Sequence, residues 1–315
     1  MSNATFLHQI PDVKDLFEVV AKEHQLLPDI VEKDYWVMHC LWGLQQQNFK
    51  FELKGGTSLT KGFGIIERFS EDIDIQIHSQ NSDVKIGKNQ NKPVHTESRR
   101  IFFETIANSL KIQGMDFYRD HNFDDPDKMR SAGIRGEYVS LFPSVNSLKE
   151  GVVLELGFDQ TTPNLPCDIT SWAFEKALQF NLNIIDNRAK NVLCYCPEYT
   201  FVEKLQTIST KYRLQQEQQK MPINFLRHYY DVYKLLENQR VINFIGTDAY
   251  KAHKQSRFRT NDQINIKENQ AFILSDKSIR RLYSSEFAKK ASIYFGRQPQ
   301  FDEILQKISE YIDEL

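Results

Sequence analysis

Apolar and polar positions alternate most clearly over Asp72–Ile77, where isoleucines at 73, 75 and 77 interleave with Asp72, Asp74 and Gln76. Strand side chains point to opposite faces with period two. The segment therefore predicts a strand that buries its isoleucines and presents both aspartates on its other face. Upstream, Phe51 and Leu53 lead into Gly55-Gly56 and Thr57-Ser58. That order predicts a strand, a tight turn and a short helix whose leading N–H groups can hold an anion. Ile134–Phe142 and Gly151–Asp159 alternate or stay apolar and predict two more strands.

Elsewhere the spacing is helical. Apolar positions recur at helical intervals over Val13–Ala21 and Pro28–Leu44, the second opening on a proline and an acidic first turn. Lys33, Asp34 and Trp36 within it suit packing and a local ion-pair network. His78–Thr96 is polar and without period, which predicts a loop, and a helix follows from about Glu97 to Ile112. The Asp-rich stretch at 120–130 lacks the central glycine and closing glutamate of a calcium loop, so a solvated turn is expected there. From Cys196 onward the signals are helical. Pro197 opens a helix through Lys211, Gln215–Lys220 is a polar loop, Asn224–Leu236 is the next helix, and Ser278–Ile293 and Phe301–Tyr311 are closing amphipathic helices.

Composition narrows the class without deciding it. A chain of 315 residues with 40% hydrophobic content fits one large or two modest domains with a buried core. Lys and Arg number 40 against 42 Asp and Glu, so nucleic-acid binding must come from a local patch and not from the global field. Basic residues interleave with aromatics over Tyr250–Thr260, where Lys251, His253, Lys254, Arg257 and Arg259 form a candidate RNA face. Its four cysteines form no CxxC pair and read as reduced thiols. With no signal peptide and no apolar run of bilayer length, a cytoplasmic protein with no membrane role is expected.

Two carboxylates on one strand face can share a hard divalent cation, and a glycine turn leading into a helix can cradle phosphate. A Gly-Gly pair alone is commonly just a turn, and a DxD alone is commonly solvated; their succession in one supersecondary unit is the informative feature.

Gly-Gly followed by Asp-x-Asp resembles the signature of the nucleotidyltransferase superfamily with the DNA polymerase β-like fold. GGTSLTK and ERFSEDIDI, with IVEKDYWV at Ile30–Val37 and EKL…RHYYDVYKLL from Glu203 to Leu236, resemble the AbiEii/AbiGii-type toxins of type IV toxin–antitoxin and abortive-infection systems. The resemblance implies an α/β (α+β) fold: a nucleotidyltransferase core over residues 1–190 with a mixed sheet flanked by helices, then an α-helical domain over 191–315 that completes the nucleotide site. It implies Mg²⁺, with Mn²⁺ as an alternative, on Asp72, Asp74 and a third carboxylate, Glu155, from the neighbouring strand. Lys204 and Asp231 join these as catalytic residues, although composition alone makes Lys204 a surface lysine and Asp231 half of an i,i+4 surface pair with Arg227. Gly55, Gly56, Thr57, Ser58, Lys61, Arg68, Ser70, Lys204 and Arg227 are the implied nucleotide contacts, and Glu203 a supporting residue. The implied activity moves a nucleotide from an NTP to an acceptor, typically a tRNA 3′ end, with a cognate antitoxin protein as partner. Two alternatives stay open: a protein-directed nucleotidyl- or phosphotransferase on the same core, and a non-enzymatic binding module.

Overall fold

The predicted period-two segment is a strand, and it lies at the centre of a seven-stranded mixed sheet. The structure, a computed structural model, describes residues 4–79, 84–87, 89–143, 148–289 and 291–315. Two compact units divide the chain: Met1–Gly62 with Phe69–Tyr195, and Phe63–Arg68 with Cys196–Leu315. Position 190, where the sequence places the boundary, falls inside a strand that carries the first unit on to Tyr195.

In the first unit the strands are β1 (Phe51–Lys54), β2 (Asp72–Ile77), β3 (Asp116–Asp120), β4 (Ser131–Glu137), β5 (Val152–Gly157), β6 (Asn164–Ile169) and β7 (Ala189–Tyr195), in the order β3-β4-β5-β2-β1-β7-β6. β2 runs parallel to β5 and antiparallel to β1. Ile73, Ile75 and Ile77 join Leu53, Leu154, Leu156 and Ile134 in the core. Helices α1 (Val13–His24), α2 (Pro28–Gln46), α3 (Gly55–Thr57), α4 (Pro93–Ser109) and α5 (Trp172–Gln179) complete the unit. α2 packs on β5 and β7 on one side and on α1 and α5 on another. That explains why even its Glu32, Lys33 and Asp34 are buried, and why each has a partner.

Several boundaries differ from the sequence reading. α4 starts at Pro93, four residues before the expected Glu97, because proline at the first helical position loses no needed N–H. Part of the predicted 78–96 loop, at 80–83 and 88, lies outside the described residues. β4 ends at Glu137, and residues 138–143 form no strand. In the Asp-rich turn the carboxylates serve local structure: Asp125 accepts the N–H groups of Asp127, Lys128 and Arg130, and Asp124 pairs with Arg119.

The second unit is helical: α6 (Pro197–Gln218), α7 (Arg227–Leu235), α8 (Gln239–Phe244), α9 (Asp248–Arg257), α10 (Gln270–Ile273), α11 (Lys277–Ala288) and α12 (Phe301–Ser309). α6 runs to Gln218, through the expected loop at 215–220, because Gln215 is buried beside the Tyr283 hydroxyl. Aromatic rings fill its core, with Tyr229 edge-on to Phe301 at 5.2 Å between centroids. Phe63–Arg68 joins this unit through an antiparallel bridge between Arg68 and Tyr294 and through Glu67 O, which accepts the N–H of Phe295 at 3.0 Å.

Candidate active site

Pairing register builds the acidic site. Asp74 lies opposite Glu155 on β5 and opposite Lys54 on β1, and Asp72 lies opposite Val153. In-register partners share a face, so Asp72, Asp74 and Glu155 all project from the polar side of the sheet. Glu155 thus occupies the neighbouring strand where the resemblance put a third carboxylate.

The Gly-Gly turn closes directly onto this face. Gly55 has φ +74°, and a Cβ there would stand 2.2 Å from Asp74 Oδ2. The backbone there favours glycine, and any Cβ would push the Asp74 carboxylate aside. α3 begins at Gly55 and continues as a single π turn, Ser58–Gly62. Thr57 and Ser58 use their hydroxyls locally. Thr57 Oγ1 donates to Asp72 O at 2.5 Å, tying the turn to β2, and Ser58 Oγ donates to Gly55 O at 3.0 Å. Lys61, an implied nucleotide contact, has its ammonium 2.7 Å from Asp34 and 4.3 Å from the Trp172 ring centroid. It braces α2 and α5 from the turn. Ser70 is buried.

A cation already stands among the carboxylates. Lys149 Nζ is 2.7 Å from both Asp72 oxygens and 3.5 Å from Glu155 Oε1, and lies 4.4 Å from the Phe123 ring centroid. Glu71 places it: Glu71 Oε2 accepts the Lys149 N–H at 2.8 Å and the buried Lys33 ammonium at 3.0 Å, and Lys33 also donates to Lys149 O. Burial alone would raise the Glu71 carboxyl, but Lys33 and the Lys149 N–H hold it below the usual range. Asp72 behaves oppositely. Burial, with the neighbouring Asp74 and Glu71 charges, pushes its carboxyl up despite Lys149. Lys149 therefore does not offset the burial of Asp72.

By donor chemistry these residues suit a hard divalent cation: Asp72, Asp74 and Glu155 offer only carboxylate oxygens, the type Mg²⁺ and Mn²⁺ prefer, and the Lys149 ammonium lies on Asp72. Among the described residues no three His, Cys, Asp or Glu side chains are already gathered into a metal cage.

The helical unit holds the other candidates. Asp231 is fully buried, with Arg68 Nε and Nη2 on its two oxygens at 2.7 and 2.8 Å and Lys204 Nζ at 2.9 Å. Burial would raise this carboxyl; Arg68 and Lys204 more than offset that and hold it well below the usual carboxylate range. The expected Arg227–Asp231 pair does not form, because Arg68, 163 residues away in sequence, takes both oxygens. Arg227 Nε is instead buried without a hydrogen-bond partner among the described residues. Asp231 orients two cations, and Lys204 is a buried lysine, not a surface one. Glu203 pairs with Arg257 at 3.1 Å, and the Lys254 ammonium bonds Leu315 O, so two members of the expected RNA face are engaged within the unit. Burial pulls the Lys254 ammonium down to about 8.

A glycine turn sealed against a DxD strand, with a third carboxylate in register beside it, is the arrangement the motifs implied. The family model "Nucleotidyl transferase AbiEii toxin, Type IV TA system" matches residues 40–307. The chain belongs to the AbiEii family. It is accordingly a nucleotidyltransferase of the type IV toxin–antitoxin class. The AbiEii match spans every candidate residue from Gly55 to Asp231 and begins after Ile30–Val37. Among solved structures, an antigenic nucleotidyltransferase-like protein from Paracoccidioides brasiliensis is similar at 13% identity over 71% of this chain and 87% of its own, with a TM-score of 0.36, too low to bear on the site. Curated protein sequences yield no match. Among the described residues no helix is long and apolar enough to cross a membrane.

Sequence reasoning missed Lys149 and Glu71. Glu71 directly precedes the DxD and carried a legible signal, a third acid at the strand's entry. Lys149 carried none, since only strand order brings this residue, three before β5, to Asp72.

Proposed function

We propose that this AbiEii-family enzyme transfers a nucleotide from an NTP to the 3′ end of an RNA, with tRNA as acceptor, in a divalent-metal-dependent reaction, and that it is the toxin partner of an antitoxin protein. The observation that carries the reading is the closure of Gly55 onto Asp74, with Glu155 in register beside it. A turn that admits no side chain brings backbone N–H groups beside carboxylates, which suits a metal-chelated triphosphate. Asp72, Asp74 and Glu155 would hold the metal. Bound there, Mg²⁺ would supply charge compensation for the pyrophosphate leaving group and lower the pKa of the acceptor hydroxyl.

The chain's own residues do the positioning. Thr57 locks the turn to Asp72 through the backbone, so turn and carboxylate move as one. The N–H groups opening α3 would bind phosphate oxygens. Glu71 and Lys33 hold the segment before β5, and Gly55 excludes any side chain from the phosphate approach. Lys204, assigned to the phosphates by family motif, keeps its ammonium on Asp231 at 2.9 Å, which fixes the direction of its charge.

The test is incubation with each labelled NTP, total RNA and Mg²⁺, beside an Asp74→Ala control. Metal-dependent label on small RNA, lost in the control, supports the reading. Label on protein would move the acceptor to a protein hydroxyl, and no label with any NTP would refute transfer.

A further inference from the structure

The Lys149 ammonium sits where a metal ion would compete with it. It contacts both oxygens of Asp72, a carboxylate only 4% exposed, and reaches Glu155 on the next strand. It is not a wandering surface lysine. Its N–H is held by Glu71, its carbonyl accepts from Lys33, and its side chain runs beside the Phe123 ring. Three independent contacts thus aim one charge at the acidic face.

We propose that Lys149 is a resident counter-cation of the Asp72–Glu155 site, displaced by the divalent metal, so that it sets metal affinity and holds the carboxylates in place while metal is absent. This rests on the metal-dependent reading above. Two cations cannot share the Asp72 oxygens at contact distance, since like charges in a partly buried site repel strongly. The displaced ammonium has a place to go. Lys149 itself lines a cavity of about 290 Å³ whose other walls include Asp29, Lys33, Glu137 and Glu150. Asp29 already accepts the Ile30 N–H and Glu137 the Tyr118 hydroxyl, so on this proposal these acidic walls share the displaced ammonium beside Lys33, and metal entry is an exchange of partners. The exchange separates carboxylate placement from metal loading: the face stays ordered between turnovers, and the metal binds less tightly than three carboxylates alone would hold it.

The test is Mn²⁺ and Mg²⁺ titration, by calorimetry without nucleotide, of the wild type, Lys149→Met and Lys149→Arg. Lys149→Met should bind metal on the order of tenfold more tightly, the factor given by one displaced charge-assisted contact of about 1.4 kcal/mol. Lys149→Arg keeps the charge and should stay near wild type. Equal affinity in the wild type and Lys149→Met would overturn the inference while leaving metal dependence intact. No metal binding by either would remove the metal reading and the inference with it. A second measurement needs no variant. Amine acylation of the wild type, read by peptide mass spectrometry against exposed Lys190, should rise several-fold at Lys149 when Mg²⁺ saturates the site. Unchanged Lys149 labelling in metal-saturated protein would also overturn it. A lysine that merely braced the fold would lower the melting temperature of Lys149→Met equally with and without metal; displacement requires metal to restore most of the loss.

Discussion

Gly55→Ala tests the contact on which the site reading depends, and the structure gives its size. At φ +74° an alanine pays the left-handed backbone cost, about 1 kcal/mol, and its Cβ meets Asp74 Oδ2 at 2.2 Å. Ordinary van der Waals contact begins at 3.4 Å, so carboxylate and turn must separate by about 1.2 Å. A misplacement of about 1 Å in a reacting assembly costs roughly a hundredfold in rate. Transfer should therefore fall by on the order of a hundredfold, while the melting temperature drops only about 2–4 °C. Gly64→Ala is the matched control: its φ is +62°, yet a Cβ there has nothing within 4 Å. That variant should share the loss of melting temperature and keep its rate. Nucleotide transfer to RNA at saturating Mg²⁺ and thermal melts of both variants decide the matter. A Gly55→Ala enzyme that melts like Gly64→Ala and turns over within twofold of wild type would show that the turn does not position Asp74.

Asp72→Asn should abolish transfer yet leave metal-free stability level or slightly higher near neutral pH. Its folded pKa is raised, so the ionised carboxyl opposes folding above that value; melts of variant and wild type should differ more at pH 8 than at pH 4. Asp231→Asn should cost about 3–5 kcal/mol in urea unfolding at pH 7, because Arg68 and Lys204 are left buried without their anion. Its folded pKa is depressed, so this stability is complete above the unfolded value of about 4 and is lost as pH falls toward the folded one; the gap between wild type and variant should be constant from pH 7 to 5 and narrow by pH 3. Lys254→Ala and Arg257→Ala should lower the melting temperature through their contacts with Leu315 and Glu203, whereas Lys251→Ala with Arg259→Ala should leave it unchanged and, if this face meets RNA, reduce the log-salt slope of RNA binding by about two.

What could be read ahead of the structure follows from where physical constraints are local. β2 was legible because an isoleucine ladder and two aspartates cannot exchange faces without reversing the whole strand. β5 and the buried α2 were legible from their apolar runs. β3 and β6 were not, because they are the two edges of the sheet: DFYRD and NLPCDI carry charges or a proline that only a half-solvated edge tolerates. β7 is broken as a pattern by Asn191, which adopts φ +53°. The Asp231 partner was misassigned for a related reason. Helix spacing offers Arg227 four residues away, but a fully buried carboxylate takes the pair of cations that tertiary packing delivers, and Arg68 comes from a segment between the Gly-Gly turn and β2. Its bidentate fork takes both oxygens and Lys204 adds a second cation on Oδ2, so the carboxylate is satisfied without Arg227.

A formal net charge of −2 conceals two opposite imbalances. In the sheet unit Asp72 and Glu155 face the ammonium of Lys149, and burial, with the neighbouring Asp74 charge, still pushes the Asp72 carboxyl up. In the helical unit Arg68 and Lys204 share one carboxylate, Asp231, and the depressed pKa of that carboxyl shows positive charge in excess. Neither is the optimum for folding alone, since a paired charge of each sign would leave the interior neutral at lower cost. An uncompensated interior charge persists where a ligand of opposite sign completes it. On the function proposed above, the acidic face of the sheet unit takes a cation, and the Arg68 and Lys204 pair of the helical unit takes an anion.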